Sequence, residues 1–159
     1  SYAATIFAQC GFNVSVQYGA NQPEYDLLVE KQPKVAKVSV KGSQDGGWAL
    51  AISQKTKGGD VTYHQAIDKW FARQQPDTIF VFVQFREVLA GELPRVYLAT
   101  PSEVKDHLKI QCNGIGHLAL REDHARYHPN ARHRDKIPDH WKFSEARVSE
   151  LTGNQSITR

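Results

Sequence analysis

The sequence predicts an α/β domain, a mixed central sheet of about five strands flanked by helices. Three patterns point to it. The runs Tyr25 to Glu30 and Val35 to Lys41 are rich in Val and Leu and are separated by Lys31-Gln32-Pro33-Lys34, a polar stretch with a proline, so they read as two strands joined by a tight turn. Thr78-Ile79-Phe80-Val81-Phe82-Val83-Gln84-Phe85 is apolar and β-branched enough to be a central strand. Helical spacing appears on either side of the hairpin, with Ala3, Ile6, Phe7 and Cys10 forming one apolar face and Tyr63, Ile67, Trp70 and Phe71 another.

In chain order, the first helix covers Tyr2 to Cys10 and stops at Gly11, and Phe12 to Gln17 then alternates like a strand. Within the hairpin, Lys37, Ser39 and Lys41 share one face while Ala36, Val38 and Val40 share the other, which is the core face. Trp48 to Ser53 reads as a third strand. From Gln54 to Asp60, Lys55, Lys57 and Gly58-Gly59 make a basic loop, either a solvated turn or a phosphate contact. A helix from Thr62 to Gln74, capped by Asp60 or Thr62, turns its aromatics to the core. Pro94 to Thr100 is the strand after the central one, Thr100-Pro101 starts a short helix, and a last helix begins at the N-cap Ser144. Thr152 to Arg159 is polar and expected to fray.

At 159 residues the chain can bury one substantial core, and no linker-like stretch divides it. The expected organisation is a single domain over 1–159, with 112–159 as a basic, histidine-rich C-terminal extension. Hydrophobic content of 40% and charged content of 23% exclude a disordered chain. There is no run of about 18 apolar residues and no signal-peptide pattern, so no membrane association and a cytoplasmic location are expected. Cys10 and Cys112 are too few for a disulfide framework and lack the paired spacing of a zinc site. A net charge of +3 and a pI near 8.9 permit a nucleic-acid partner without demanding one. GxSxG, P-loop and HExxH motifs are absent, and Gly114-Ile115-Gly116 is too short for a dinucleotide fingerprint.

The hairpin carries the chemistry. It places Asp26, in Tyr25-Asp26-Leu27-Leu28-Val29, beside Lys41, in Val38-Ser39-Val40-Lys41-Gly42-Ser43. With a helix ending in Gly11-Phe12 before it and a helix and strand after it, this order resembles the PD-(D/E)xK nuclease superfamily over roughly the first two thirds of the chain. The resemblance implies a restriction-endonuclease-like fold and a metal-dependent DNA endonuclease. In that family the strand aspartate and the acid of the next strand hold Mg2+ or Mn2+ on the scissile phosphate, and the lysine orients water and offsets developing charge. Asp26 and Lys41 match those roles, the main-chain carbonyl of Val40 would add an oxygen ligand, and Asp26 and Lys41 are expected within ion-pair distance of each other. The resemblance further implies a homodimer, since family nucleases often pair to cut two strands.

Ser39 departs from the pattern, because the family normally has Glu, Asp or sometimes Gln at that position. Magnesium leans on one or two carboxylates, so a hydroxyl in place of the second one lowers metal affinity. Glu24 and Glu30 share the face of Asp26 as substitutes, Glu30 about 13 Å along at strand rise. The family also often places a glutamate on the first helix, at a spacing that here falls at or before Ser1. The alternative to an endonuclease is the same fold with its chemistry degraded, kept as a DNA- or protein-binding module.

Arg121 to Arg147 carries seven Lys or Arg against five Asp or Glu, interspersed with His124, His128, His133 and His140 and with Tyr127, Trp141 and Phe143. That mixture suits a surface tracking a phosphate backbone, with Arg121, Arg126, Arg132, Arg134 and Lys142 as the contacts. A solvated irregular loop is the competing reading. His124 and His128 share a helical face, but Pro129-Asn130 breaks the helix after them, which argues against a three-histidine zinc site.

Overall fold

The computed structural model describes residues 1–18, 25–55 and 60–153. Glu24, Lys57 and the polar tail from residue 154 onward lie outside the described residues. The chain opens with α1, Tyr2–Gln9, capped by Ser1, whose hydroxyl accepts the Ala4 N–H at 3.3 Å. Next come β1, Asn13–Val16, β2, Leu27–Lys31, and β3, Lys34–Ser43. A short β4, Gly47–Ala49, precedes α2, Tyr63–Ala72, which leads to β5, Ile79–Gln84, and β6, Arg95–Ala99. The remainder is α3, Pro101–Ile110, β7, Ala119–Arg121, α4, His124–Tyr127, and α5, Glu145–Thr152.

Five strands in the order β1-β2-β3-β5-β6 make the main sheet, in which β3 and β5 run parallel and the other neighbours antiparallel. The predicted mixed sheet is present. A parallel pair needs a crossover, and α2 lies in the connection between its two strands. Both α2 and α3 start at a threonine whose hydroxyl accepts an N3 amide while Gln65 or Glu103 reaches back to the cap, so Thr62, rather than Asp60, caps α2.

Every residue of β5 is buried, because helices cover both faces of the sheet. Phe80 and Phe82 point into a core with Ile67 and Trp70 of α2 and Val104 and Leu108 of α3. Ile79, Val81 and Val83 point the other way, onto Ile6 and Phe7 of α1 and Val148 of α5. The C-terminal residues belong to the same two cores: Leu118, Leu120, Ile137 and Trp141 pack on the α2 side and Val148 on the α1 side. Among the described residues no helix is long and apolar enough to cross a membrane.

One predicted strand is corrected. Trp48 to Ser53 does not add to the main sheet; only Gly47–Ala49 is extended, it pairs with β7, and Ile52–Gln54 is a 3-10 turn. The alternating pattern around Trp48 and Leu50 reports core contacts together with a short ladder to β7 outside the main sheet. Trp48 packs on Phe82 and Tyr97, and the Leu50 and Ala51 N–H groups both reach the Leu118 carbonyl, which ends the pairing.

Arg147 joins α5 to the sheet and to α3. Its side chain is 3% exposed and donates to the Leu98 carbonyl at 3.1 Å and to both Glu103 oxygens at 2.7 and 2.9 Å. Breaking a buried pair from one side strands the other charge, so Arg147→Ala is expected to cost about 3 kcal/mol, read as a lower urea midpoint at unchanged slope. A loss below about 1 kcal/mol would mean that water replaces the guanidinium without penalty.

Candidate functional site

The hairpin is asymmetric, and this asymmetry creates the site. β3 has ten residues against five in β2, so past the Leu27↔Val38 pair it runs on without a ladder partner on that side. Asp26 stands where β2 ends. Its N–H donates to the Val38 carbonyl at 2.8 Å, and its Oδ2 accepts the Val40 N–H at 2.7 Å, replacing the missing ladder bond. The carboxylate therefore has a structural task that requires no chemistry, and its second oxygen carries no protein hydrogen bond among the described residues. In a strand the N–H and C=O of one residue point to the same side, so the Val40 carbonyl also faces the gap beyond β2.

Extending the β2–β3 register by one residue puts Asp26 opposite Ser39, and the parallel register puts Ser39 beside Phe80 and Lys41 beside Phe82. Asp26, Ser39 and Lys41 thus share the sheet face that carries α2 and α3, while Val38 and Val40 lie on the opposite face, in the core that α1 covers. The expected ion pair is not formed. Asp26 is turned to the Val40 amide, and the half-buried Lys41 lies with its Nζ 5.7 Å from the centroid of the Phe80 ring. Ser39 is 8% exposed, a hydroxyl set into the sheet instead of a carboxylate projecting from it.

Lys41 opens into a cleft of about 360 Å3 between the end of β3 and β4, lined by Ser43, Asp45, Trp48 and Leu50 among others. Trp48 fixes the wall, with its Nε1–H donating to the Lys41 carbonyl at 3.0 Å. Among the described residues no group of three His, Cys, Asp or Glu side chains is arranged to hold a metal ion. Glu30 is bonded to Gln32 at the far end of the hairpin. The donors near Asp26 are then its free oxygen, the Val40 carbonyl and the Ser39 hydroxyl, a set that suits a weakly held hard cation completed by phosphate and water.

Several of the predicted DNA contacts are already engaged. Arg121 is paired with Asp135 at 3.1 Å, Arg126 with Glu87 at 2.9 Å and Lys142 with Asp139 at 3.5 Å. Lys55 lies 4.1 Å from the Tyr63 ring centroid, and the exposed Arg132 and Arg134 have no ion pair among the described residues. Basic composition marked the segment without revealing which charges are already neutralised. Sequence reasoning also missed Arg86, whose guanidinium lies 3.7 Å from the Tyr127 ring centroid and donates to the Asp45 carbonyl at 2.8 Å.

Glu122, directly after β7, sets the position of the C-terminal segment. At 3% exposure its carboxylate accepts from Arg95 Nε at 2.7 Å, Tyr97 at 2.6 Å and Tyr127 at 3.1 Å. Burial alone would raise its pKa; the Arg95 hydrogen bonds, with those of the two tyrosines, outweigh burial and hold it below the ordinary value. Burial and the same carboxylate push the Tyr97 phenol upward.

Neither a scan against protein-family models nor a search of curated proteins finds a match to this chain.

A carboxylate with a depressed folded pKa stabilises the protein above the unfolded value, about 4.3, and this contribution is lost as pH falls through the folded value. Glu122→Gln is therefore expected to cost about 2 to 4 kcal/mol at pH 7 and to flatten the fall in thermal midpoint below pH 4.3. An acid limb as steep as the parent's would assign that limb to other carboxylates, such as Glu103, which is also held low.

Proposed function

We propose that the protein acts on DNA as a metal-dependent endonuclease of the restriction-endonuclease-like class, hydrolysing phosphodiester bonds at the β2–β3 hairpin. The observation that carries this reading is the placement of Asp26, Ser39 and Lys41 on one face at the point where β3 outruns β2. The antiparallel hairpin, the parallel β3–β5 pair with α2 in its connection, and α1 on the opposite face support the fold assignment.

In this reading the free oxygen of Asp26 and the Val40 carbonyl would hold Mg2+ or Mn2+. A bound ion of this kind polarises the phosphate and makes water a competent nucleophile. Lys41 supplies a fixed positive charge beside the phosphate and orients the attacking water, and the apolar wall of Phe80 strengthens that charge by limiting solvent around it. Ser39 contributes a neutral oxygen, so the site holds its cation mainly through one carboxylate.

A second reading, a nuclease fold retained as a DNA-binding module, is favoured by one feature: the position of the second acid is a hydroxyl with 8% exposure, while Asp26 already spends one oxygen on Val40. The two readings separate in a variant series assayed by Mn2+ titration and plasmid cleavage. Asp26→Asn keeps an acceptor for the Val40 amide and removes the charge, so it is expected to abolish cleavage with a loss of stability of only about 1 kcal/mol. Ser39→Glu adds a carboxylate two residues from Lys41 and is expected to tighten Mn2+ binding and raise cleavage by roughly tenfold. Cleavage that survives Asp26→Asn would sink the site assignment, and inactivity of both the parent and Ser39→Glu would select the binding module.

A further inference from the structure

β4 has a second cleft on its other side, of about 340 Å3, which neither the hairpin nor the metal reading uses. Its walls come from five places: the Asp45 to Ala49 segment, Ile52, Arg86 after β5, His117 and Arg121 around β7, and His124 and Tyr127 of α4 with the following His128. Asp45 is its single carboxylate, and that group is turned to the Ser43 hydroxyl at 2.9 Å and the Gly47 N–H at 3.2 Å. Apart from the Tyr127 phenol, the other charged or titratable side chains of the wall are cationic or can become so. On such a surface the cationic groups outnumber the one carboxylate of the wall, which favours anions.

The donors are arranged rather than scattered. Arg86 is clamped between Tyr127 and the Asp45 carbonyl, and no ion pair within the described residues neutralises it. The Tyr127 ring is seated so closely on Gly46 that a Cβ there would meet it at 3.0 Å, and the Tyr127 hydroxyl is held by Glu122. The His124 and His128 rings lie with centroids 4.6 Å apart at an interplanar angle of 36°, and neither ring has a hydrogen-bond partner among the described residues. Nδ1 of His117 lies 3.1 Å from the Ala119 N–H and 3.2 Å from the Ala119 carbonyl, so the Ala119 backbone fixes the orientation of this ring. Around His124 the charged and titratable groups are Arg121, His117, His128 and Asp135, with Arg86 and Asp45 on the facing wall. Burial, followed by the positive charges of Arg121 and His128, disfavours its protonation until an anion arrives.

We propose that this cleft is a phosphate-binding site for the DNA backbone, with Arg86, His117, His124 and His128 as donors and Arg121, already paired with Asp135, as part of its wall, lying beside the Lys41 cleft across β4. Residues 45 and 47–49 line both clefts, so a strand with one phosphate at Lys41 can place a neighbouring one here. The location on the substrate path rests on the nuclease reading, while the binding itself does not. Arg86 and the histidine pair become backbone-positioning groups that carry no base preference.

The test measures binding of a 12-base-pair duplex in EDTA by fluorescence anisotropy, at pH 8 and pH 5.5 and over a salt series. Anion binding favours imidazolium, so the parent is expected to bind roughly tenfold tighter at pH 5.5. In His124→Gln/His128→Gln that gain should shrink to about twofold or less, and the log–log salt slope should fall by about one unit. His140→Gln, an exposed imidazole outside the cleft, should keep the parent's response. A histidine NMR titration of the parent needs no variant: the duplex should shift the ring resonances of His124 and His128 and raise the titration midpoint of His124. The proposal is overturned if the double variant keeps the parent's pH response, if His140→Gln loses as much, or if inorganic phosphate moves the rings while the duplex does not. Cleavage that depends on Asp26 beside binding indifferent to the cleft would remove this site alone. Cleft-dependent binding with no cleavage in any variant would remove the nuclease reading alone.

Discussion

The burial of β5 on both faces is the constraint from which the architecture follows. A six-residue run with no exposed position must be covered twice, so α1 and α5 lie on one side and α2 and α3 on the other. Alternation along the strand then divides its side chains between two cores, with Phe80 and Phe82 on one side and Ile79, Val81 and Val83 on the other. Because β3 lies in parallel register against this strand, the side of the sheet on which each β3 residue emerges is fixed as well. A one-residue slip would exchange Ser39 and Lys41 for Val38 and Val40 and bury a lysine under α1.

A second constraint comes from strand length. β3 is twice as long as β2, and its extra residues expose backbone donors that must be satisfied. Asp26 satisfies one of them. The same unpaired stretch leaves the Val40 carbonyl free on that side, beside a carboxylate and a lysine that share a face. Local backbone accounting and candidate chemistry therefore coincide at one point. A residue needed for pairing is also the residue best placed to meet a cation.

The C-terminal residues are drawn into the domain by polar rather than apolar specificity. Glu122 and Arg147 each lie at 3% exposure, and each gathers partners from elements distant in sequence. Buried charges of this kind demand matched geometry, because a misplaced partner leaves an uncompensated ion. Glu122 fixes Tyr127, Tyr127 seats Arg86, and Arg86 closes the turn at Asp45. The histidine cleft beside β4 is held in shape by that chain of contacts.

Periodicity and capping determined much of this protein. The alternation of Val38 and Val40 with Ser39 and Lys41, the unbroken apolar run at β5, and the threonine and serine caps of α2, α3 and α5 are local properties, set by backbone geometry and side-chain spacing within a few residues. The five-strand mixed sheet followed from them, as did the shared face of Asp26, Ser39 and Lys41. Tertiary structure alone decided where Trp48 belongs, since its apolar spacing suits a strand but its indole is captured by Phe82, Tyr97 and the Lys41 carbonyl. It alone decided which basic residues are already neutralised, because Asp135 and Glu87 are remote in sequence from Arg121 and Arg126. Arg86 and His124 come together for the same reason: charge pairing and cleft formation act through space, and no period in the chain encodes them.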